Sequence, residues 1–130
     1  MGFIRSTDFK FKVACFIYNM LVLFRFNPIR IIKRNGIFFE VDLSEGIDLA
    51  LFLFGSFQKN VTQSPCFKIP DDAIIIDVGA NIGSISLPLA HACRKGKVYA
   101  FEPTNYAFGK LNKNIQLNRE LKDRIITIQS

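Results

Sequence analysis

The sequence predicts an α/β fold with a parallel sheet, and three observations carry that expectation. Ile74-Ile75-Ile76 is a run of β-branched residues that leads into Asp77, then into Gly79 and Gly83 ahead of a helical pattern. A continuous apolar run closed by turn residues suits a parallel strand buried on both faces. Val98–Phe101 is a second apolar run, ended by Glu102. The segments after each run have helical spacing, which gives the strand–helix alternation of a parallel sheet.

Composition bounds the rest. A chain of 130 residues, 49% hydrophobic and 22% charged, is sized for one globular domain with a modest core. The net charge is +6, and much of the excess falls early, at Arg5, Lys10, Lys12, Arg25, Arg30, Lys33 and Arg34. That distribution predicts a basic N-terminal face and no nucleic-acid partner. Cys15, Cys66 and Cys93 are odd in number and far apart, without a C-x-x-C pair. They suggest neither a disulfide framework nor a zinc site, and a reducing, cytoplasmic compartment follows.

In chain order, Val13–Phe24 is nearly all apolar and flanked by Lys10, Lys12 and Arg25. It is shorter than the roughly 20 residues of a membrane span. It resembles a signal-peptide core, but no small-x-small cleavage site follows. A helix packed on the domain and ended at Asn27 by Pro28 is expected, with peripheral membrane contact through Val13–Phe26 as the second reading. Ile29–Ile32 and Ile37–Val41 predict a hairpin, because Asn35-Gly36 between them is a strong turn signal. Ser44 is expected to cap a helix through Asp48–Phe54 that stops at Gly55, with Glu45 and Asp48 in its first turn. Asp42, Glu45 and Asp48 offer three carboxylates with no histidine nearby, so no metal site is assigned. Phe57–Lys68 reads as a polar connection, and Pro70-Asp71-Asp72 punctuates the entry to the central strand. Residues 1–70 thus form an extension covering a core unit of residues 71–130.

A helix is predicted from Ile82 to about Cys93, with Ile85, Leu89 and Ala92 toward the sheet. Pro88 inside it should kink it, at about 3 kcal/mol. His91 stands at the far end from the glycine turn and is given no catalytic role. Glu102 lies 19 positions after Gly83 (102 − 83), where a ribose-binding acid is expected. A ribose diol presents two donors, and an ionised carboxylate accepts both. Pro103 beside it would offer a flat apolar edge to adenine. Thr104 or Asn105 caps the next helix, whose Phe108, Leu111 and Ile115 form the inner stripe. Asn112, Lys113 and Asn114 are placed on its solvated side, Asn118 at its end, and Arg124–Gln129 is a third strand.

The cofactor follows from counting. A dinucleotide fingerprint started at Gly79 needs glycines at 81 and 84, where this chain has Asn81 and Ser84. A carboxylate at Asp77 would repel a pyrophosphate. It favours S-adenosylmethionine, which carries a sulfonium and an ammonium group and no phosphate. The start of the helix after the glycine turn is expected to offer unpaired backbone N–H groups close to that carboxylate. Two alternatives are an NAD(P)-binding oxidoreductase, disfavoured by the glycine count, and a non-catalytic membrane-surface or interaction protein built on Val13–Phe26.

The stretches I-I-D-V-G-A-N-I-G at Ile75–Gly83, V-Y-A-F-E-P-T at Val98–Thr104 and K-L-N-K-N-I-Q-L-N at Lys110–Asn118 closely resemble the FkbM-type S-adenosylmethionine-dependent methyltransferases. The resemblance covers roughly residues 35–130. It implies a class I, Rossmann-like methyltransferase fold and methyl transfer to a hydroxyl oxygen on a sugar or natural-product scaffold. It implies a cofactor set of Asp77, Gly79, Ala80, Asn81, Gly83, Glu102 and Pro103. No residue qualifies as a catalytic base. In such a fold this chain supplies the first strand and two on one side of it. The strands on the other side, and the acceptor-binding loops, would follow Ser130. A truncated, inactive methyltransferase half with a self-associating open edge is therefore expected.

Overall fold

A computed structural model describes residues 27–56 and 68–130, together with Lys12, Phe16, Asn19, Met20, Leu23 and Val61. Most of the Val13–Phe24 segment and of the Phe57–Lys68 connection lies outside the described residues. Among the described residues no helix is long and apolar enough to cross a membrane.

The hairpin forms as expected. Strands β1 (Ile29–Arg34) and β2 (Ile37–Asp42) pair antiparallel, with Ile32 opposite Phe39. The turn is the two residues Asn35 and Gly36, at φ 50° and 86°. Left-handed conformation at both central positions matches the twist of the flanking strands. Helix α1 (Gly46–Phe54) follows and ends at Gly55, which takes φ 72° and donates its N–H to Leu51 O at 3.0 Å. Ser44 does not cap it. Its N–H and hydroxyl both turn back to Asp42 Oδ1, and Glu45 occupies the cap position.

Strands β3 (Ile74–Val78), β4 (Lys97–Phe101) and β5 (Ile125–Ile128) form a parallel sheet in the order β3-β4-β5, with the first strand at the edge. Helix α2 (Ser86–Ala92) connects β3 to β4. Helix α3 (Asn105–Leu117) and a 3-10 segment (Arg119–Arg124) connect β4 to β5. This is the topology of one half of a Rossmann-like sheet.

One expectation fails at β3. Ile75 and Asp77 are half-buried, but Ile74, Ile76 and Val78 are 75%, 67% and 81% exposed. The strand is covered on one face only. Its apolar character continues across the open face through Tyr99 and Ile126, and through Phe101 and Ile128, which stand in register with Ile76 and Val78.

The other face carries the core. Val98 and Ala100 of β4, Leu87 and Ala90 of α2, and Leu111 and Ile115 of α3 pack in one cluster. Ile37, Phe39, Val41 and Leu49 of the hairpin and α1 belong to the same cluster. The hairpin is thus buried into the core unit rather than laid over it.

Helix α2 is shorter than predicted, beginning at Ser86 rather than Ile82. Pro88 therefore lies in its first turn, where a backbone N–H has no intrahelical acceptor to lose. The kink expected from a mid-helix proline has no cause here.

Candidate cofactor site

The site is built where β3 ends. Residues 79–83 turn the chain from the strand toward α2 through three left-handed positions, Gly79 at φ 80°, Asn81 at φ 49° and Gly83 at φ 88°. The two glycines serve different ends. A Cβ on Gly79 would meet nothing within 4 Å, so its need is purely conformational. A Cβ on Gly83 would collide with Leu87 Cδ1 and Leu111 Cδ1. Gly83 thus leaves room for the Leu87 side chain of the following helix and for Leu111 of α3.

Every backbone N–H from Gly79 to Gly83 is already bonded within the chain. Those of Gly79 and Ala80 both donate to Phe101 O at 2.9 Å. That of Asn81 donates to Glu102 Oε2 at 2.9 Å, that of Ile82 to Asn81 Oδ1 at 2.7 Å, and that of Gly83 to Ala80 O at 2.8 Å. Within residues 79–83 no donor is left over, because the tight turn and the neighbouring β4 end consume them. A dinucleotide pyrophosphate is held by such donors, and residues 79–83 have none to give one.

Asp77, the penultimate residue of β3, is half-buried, and Ser86 Oγ donates to its Oδ2 at 2.5 Å. Ser86 is fully buried at the start of α2, so its hydroxyl fixes one carboxylate oxygen from below. A cleft of about 360 Å³ opens beside it. Asp77, Gly79, Ala80 and Asn81 line this cleft, with Ile75, Ile85 and Leu89 as its apolar wall.

Three predicted site residues do not line the cleft. Gly83 is buried under Leu111. Pro103 is exposed on the loop after β4. Glu102 is only 5% exposed and acts as a clasp. Its Oε1 accepts from the Thr104 N–H at 2.9 Å and the Thr104 hydroxyl at 2.6 Å, while Oε2 holds the Asn81 N–H. Burial pushes the Glu102 carboxyl up, and these three bonds outweigh it, so it sits below the ordinary glutamate value. The Thr104 hydroxyl expected to cap α3 is spent here instead, and Thr104 caps that helix without a side-chain bond.

Two residues absent from the expected set also touch the site. Ser86 holds Asp77. Asn114 donates to Ile82 O at 2.9 Å and is fully buried, not solvated. The signal for Asn114 was present in the spacing, since positions 111, 114, 115 and 118 form one helical stripe. Farther off, Asp48 is engaged by the Lys110 ammonium and the Asp42 N–H, which accounts for the buried member of the Asp42, Glu45 and Asp48 group.

The residues present fit S-adenosylmethionine better than a dinucleotide. The turn has no spare N–H groups for phosphate, and the acid beside the cleft favours a cation. Residues 30–130 match the TRM5/TYW2 methyltransferase domain. The tRNA(Phe) (4-demethylwyosine(37)-C(7)) aminocarboxypropyltransferase of Pyrococcus horikoshii is 31% identical over 104 residues, covering 80% of this chain and 34% of that protein. The structure of TYW2 from M. jannaschii in complex with AdoMet superposes with a TM-score of 0.61 at 25% identity, covering 80% of this chain and 44% of that one. The chain spans about a third or less of the length of the curated relatives it matches. The FkbM resemblance is corrected at the level of the family. The FkbM methyltransferase from Methylobacillus flagellatus is a distant match, at 18% identity and a TM-score of 0.47. The D-V-G-A-N-I-G and F-E-P motifs mark the broader class, and over residues 30–130 the chain belongs to the TRM5/TYW2 methyltransferase domain family.

Proposed function

We propose that this chain forms the S-adenosylmethionine-binding half of a group-transfer enzyme. The observation that supports this most is the turn itself, with its five N–H groups consumed and a half-buried carboxylate beside an apolar-walled cleft. When bound, S-adenosylmethionine supplies an electrophilic carbon attached to a sulfonium. The chain's own residues hold and orient. Asp77, steadied by Ser86, attracts the positive end. Gly79, Ala80 and Asn81 form the floor. Glu102 closes the turn by holding the Asn81 N–H on its Oε2.

For the transferred group and acceptor, the Pyrococcus horikoshii relative, matched over 80% of this chain, favours aminocarboxypropyl or methyl transfer to an RNA base. Such an acceptor departs from the expectation of no nucleic-acid partner that the N-terminal placement of the basic residues suggested. A second reading is methylation of a hydroxyl on a sugar or natural-product scaffold, supported by the motif resemblance at Ile75–Gly83 and Val98–Thr104.

Isothermal titration of the 130-residue chain with S-adenosylhomocysteine and with NADH tests the cofactor. Micromolar binding of the former and none of the latter is expected. Equal or preferential NADH binding overturns the reading. Mass analysis of transfer RNA and of a glycan panel after incubation with S-adenosylmethionine separates the acceptors and the transferred group.

A further inference from the structure

Two asparagines one turn apart, Asn114 in helix α3 and Asn118 at its C-cap, are both 0% exposed. Each engages the outer edge of β2, the edge that faces away from β1. Asn118 pairs with Phe38 much as a neighbouring strand would. Its Oδ1 accepts the Phe38 N–H at 2.8 Å, and its Nδ2 donates to Phe38 O at 2.7 Å. Asn114 Oδ1 accepts the Glu40 N–H at 2.7 Å, two residues along the same strand. Its Nδ2 does not return to the strand. It reaches Ile82 O at 2.9 Å, inside the turn that lines the cleft.

That carbonyl sits between the two left-handed residues Asn81 and Gly83. Uncommon backbone conformations persist only where the surroundings over-determine them. The turn's N–H groups are tied from the β4 side, through Phe101 O and Glu102. Asn114 ties the turn from α3, through the Ile82 carbonyl, and it is anchored to the hairpin by its other amide atom. A buried amide with both ends matched leaves the turn one arrangement that satisfies every partner.

We propose that Asn114 is a positioning residue for the cofactor turn, coupling the β1–β2 hairpin to the conformation of residues 79–83. The proposal rests on the reading of that turn as an S-adenosylmethionine site. Asn118 supplies an internal control, because it is equally buried and bonds the same strand, and its Nδ2 donates further only to the Asn114 backbone O at 2.8 Å, not to the turn.

The experiment compares Asn114→Ala and Asn118→Ala in the full chain. Both are expected to lower the melting temperature by similar amounts. Only Asn114→Ala is expected to weaken S-adenosylhomocysteine binding, by roughly tenfold, the scale of one lost buried hydrogen bond. Amide exchange read without ligand gives the second measurement. Asn114→Ala should accelerate exchange at the Asn81 and Gly83 N–H groups, and Asn118→Ala should leave them as in the parent. Should Asn114→Ala fail to fold, Asn114→Asp keeps the acceptor for Glu40, removes the donor to Ile82, and takes its place. Unchanged exchange at Asn81 and Gly83 in the Asn114 variant, or equal acceleration in both variants, overturns the proposal. A parent chain that binds no S-adenosylhomocysteine while the exchange contrast holds leaves the clamp standing and overturns the cofactor reading instead.

Discussion

Glu102 shows how one side chain serves both fold and site. Its carboxylate joins the turn after β3 to the loop after β4 through Asn81 and Thr104. Because its folded value is depressed below the ordinary 4.5, the stability it contributes is fully present above that pH. It is lost as pH falls through the folded value. Asp42 titrates in the same direction, burial raising it and the Ser44 bonds and the Lys110 charge more than offsetting that. Glu102→Gln should therefore flatten the acid limb without abolishing it. Melting temperatures measured from pH 6 down to pH 3 are expected to fall less steeply for the variant than for the parent. At pH 6 the variant should be less stable by about 1–3 kcal/mol, since an amide must present N–H atoms to one of the two donor sets. A variant as stable as the parent at pH 6 would mean that the clasp contributes nothing.

At the scale of elements, α2 departs most from its sequence pattern. The spacing of Ile85, Leu89 and Ala92 is helical, yet the helix opens only at Ser86 because Asn81 and Gly83 hold the preceding residues in left-handed turns. This start leaves Pro88 in the first turn. Pro88→Ala is accordingly expected to change stability by less than about 1 kcal/mol in thermal unfolding, against about 3 kcal/mol for removing a mid-helix proline's strain. A gain near the larger figure would place the helix start earlier. The strands and the hairpin were legible because apolar runs and Asn35-Gly36 are local signals, whereas the order of the parallel sheet followed from the family resemblance. The turn's internal bonding was not, since it depends on Phe101 and Glu102 arriving from β4. The burial of Asn114 was obscured by its chemistry. An asparagine reads as solvated until a strand edge such as β2 needs an acceptor.

For the whole molecule, the question is whether the hairpin with α1 and the sheet unit behave as two bodies or one. They share a core, and they also share a buried charge pair. The Lys110 ammonium of α3 bonds Asp48 of α1, which is 1% exposed. Asp48 Oδ2 also accepts the Asp42 N–H at 2.7 Å, so the pair joins β2, α1 and α3. Around it the acids are dense enough to act on Tyr106. Burial, then Asp42, Glu45 and Asp48, push its hydroxyl up to about 12. Lys110→Met keeps the apolar stem but leaves Asp48 buried without its counter-charge, a change that costs about 3–5 kcal/mol. Adding Asp48→Asn removes the orphaned charge and keeps an acceptor for the Asp42 N–H. The double variant should therefore recover much of the loss, a coupling that a double-mutant cycle measures directly. Far- and near-ultraviolet circular dichroism should report coincident thermal transitions in all three proteins. Separate transitions, with Lys110→Met lowering only the first, would mean that the hairpin and α1 unfold from the sheet unit. In that case Asn114 could not transmit the state of β2 to the cofactor turn.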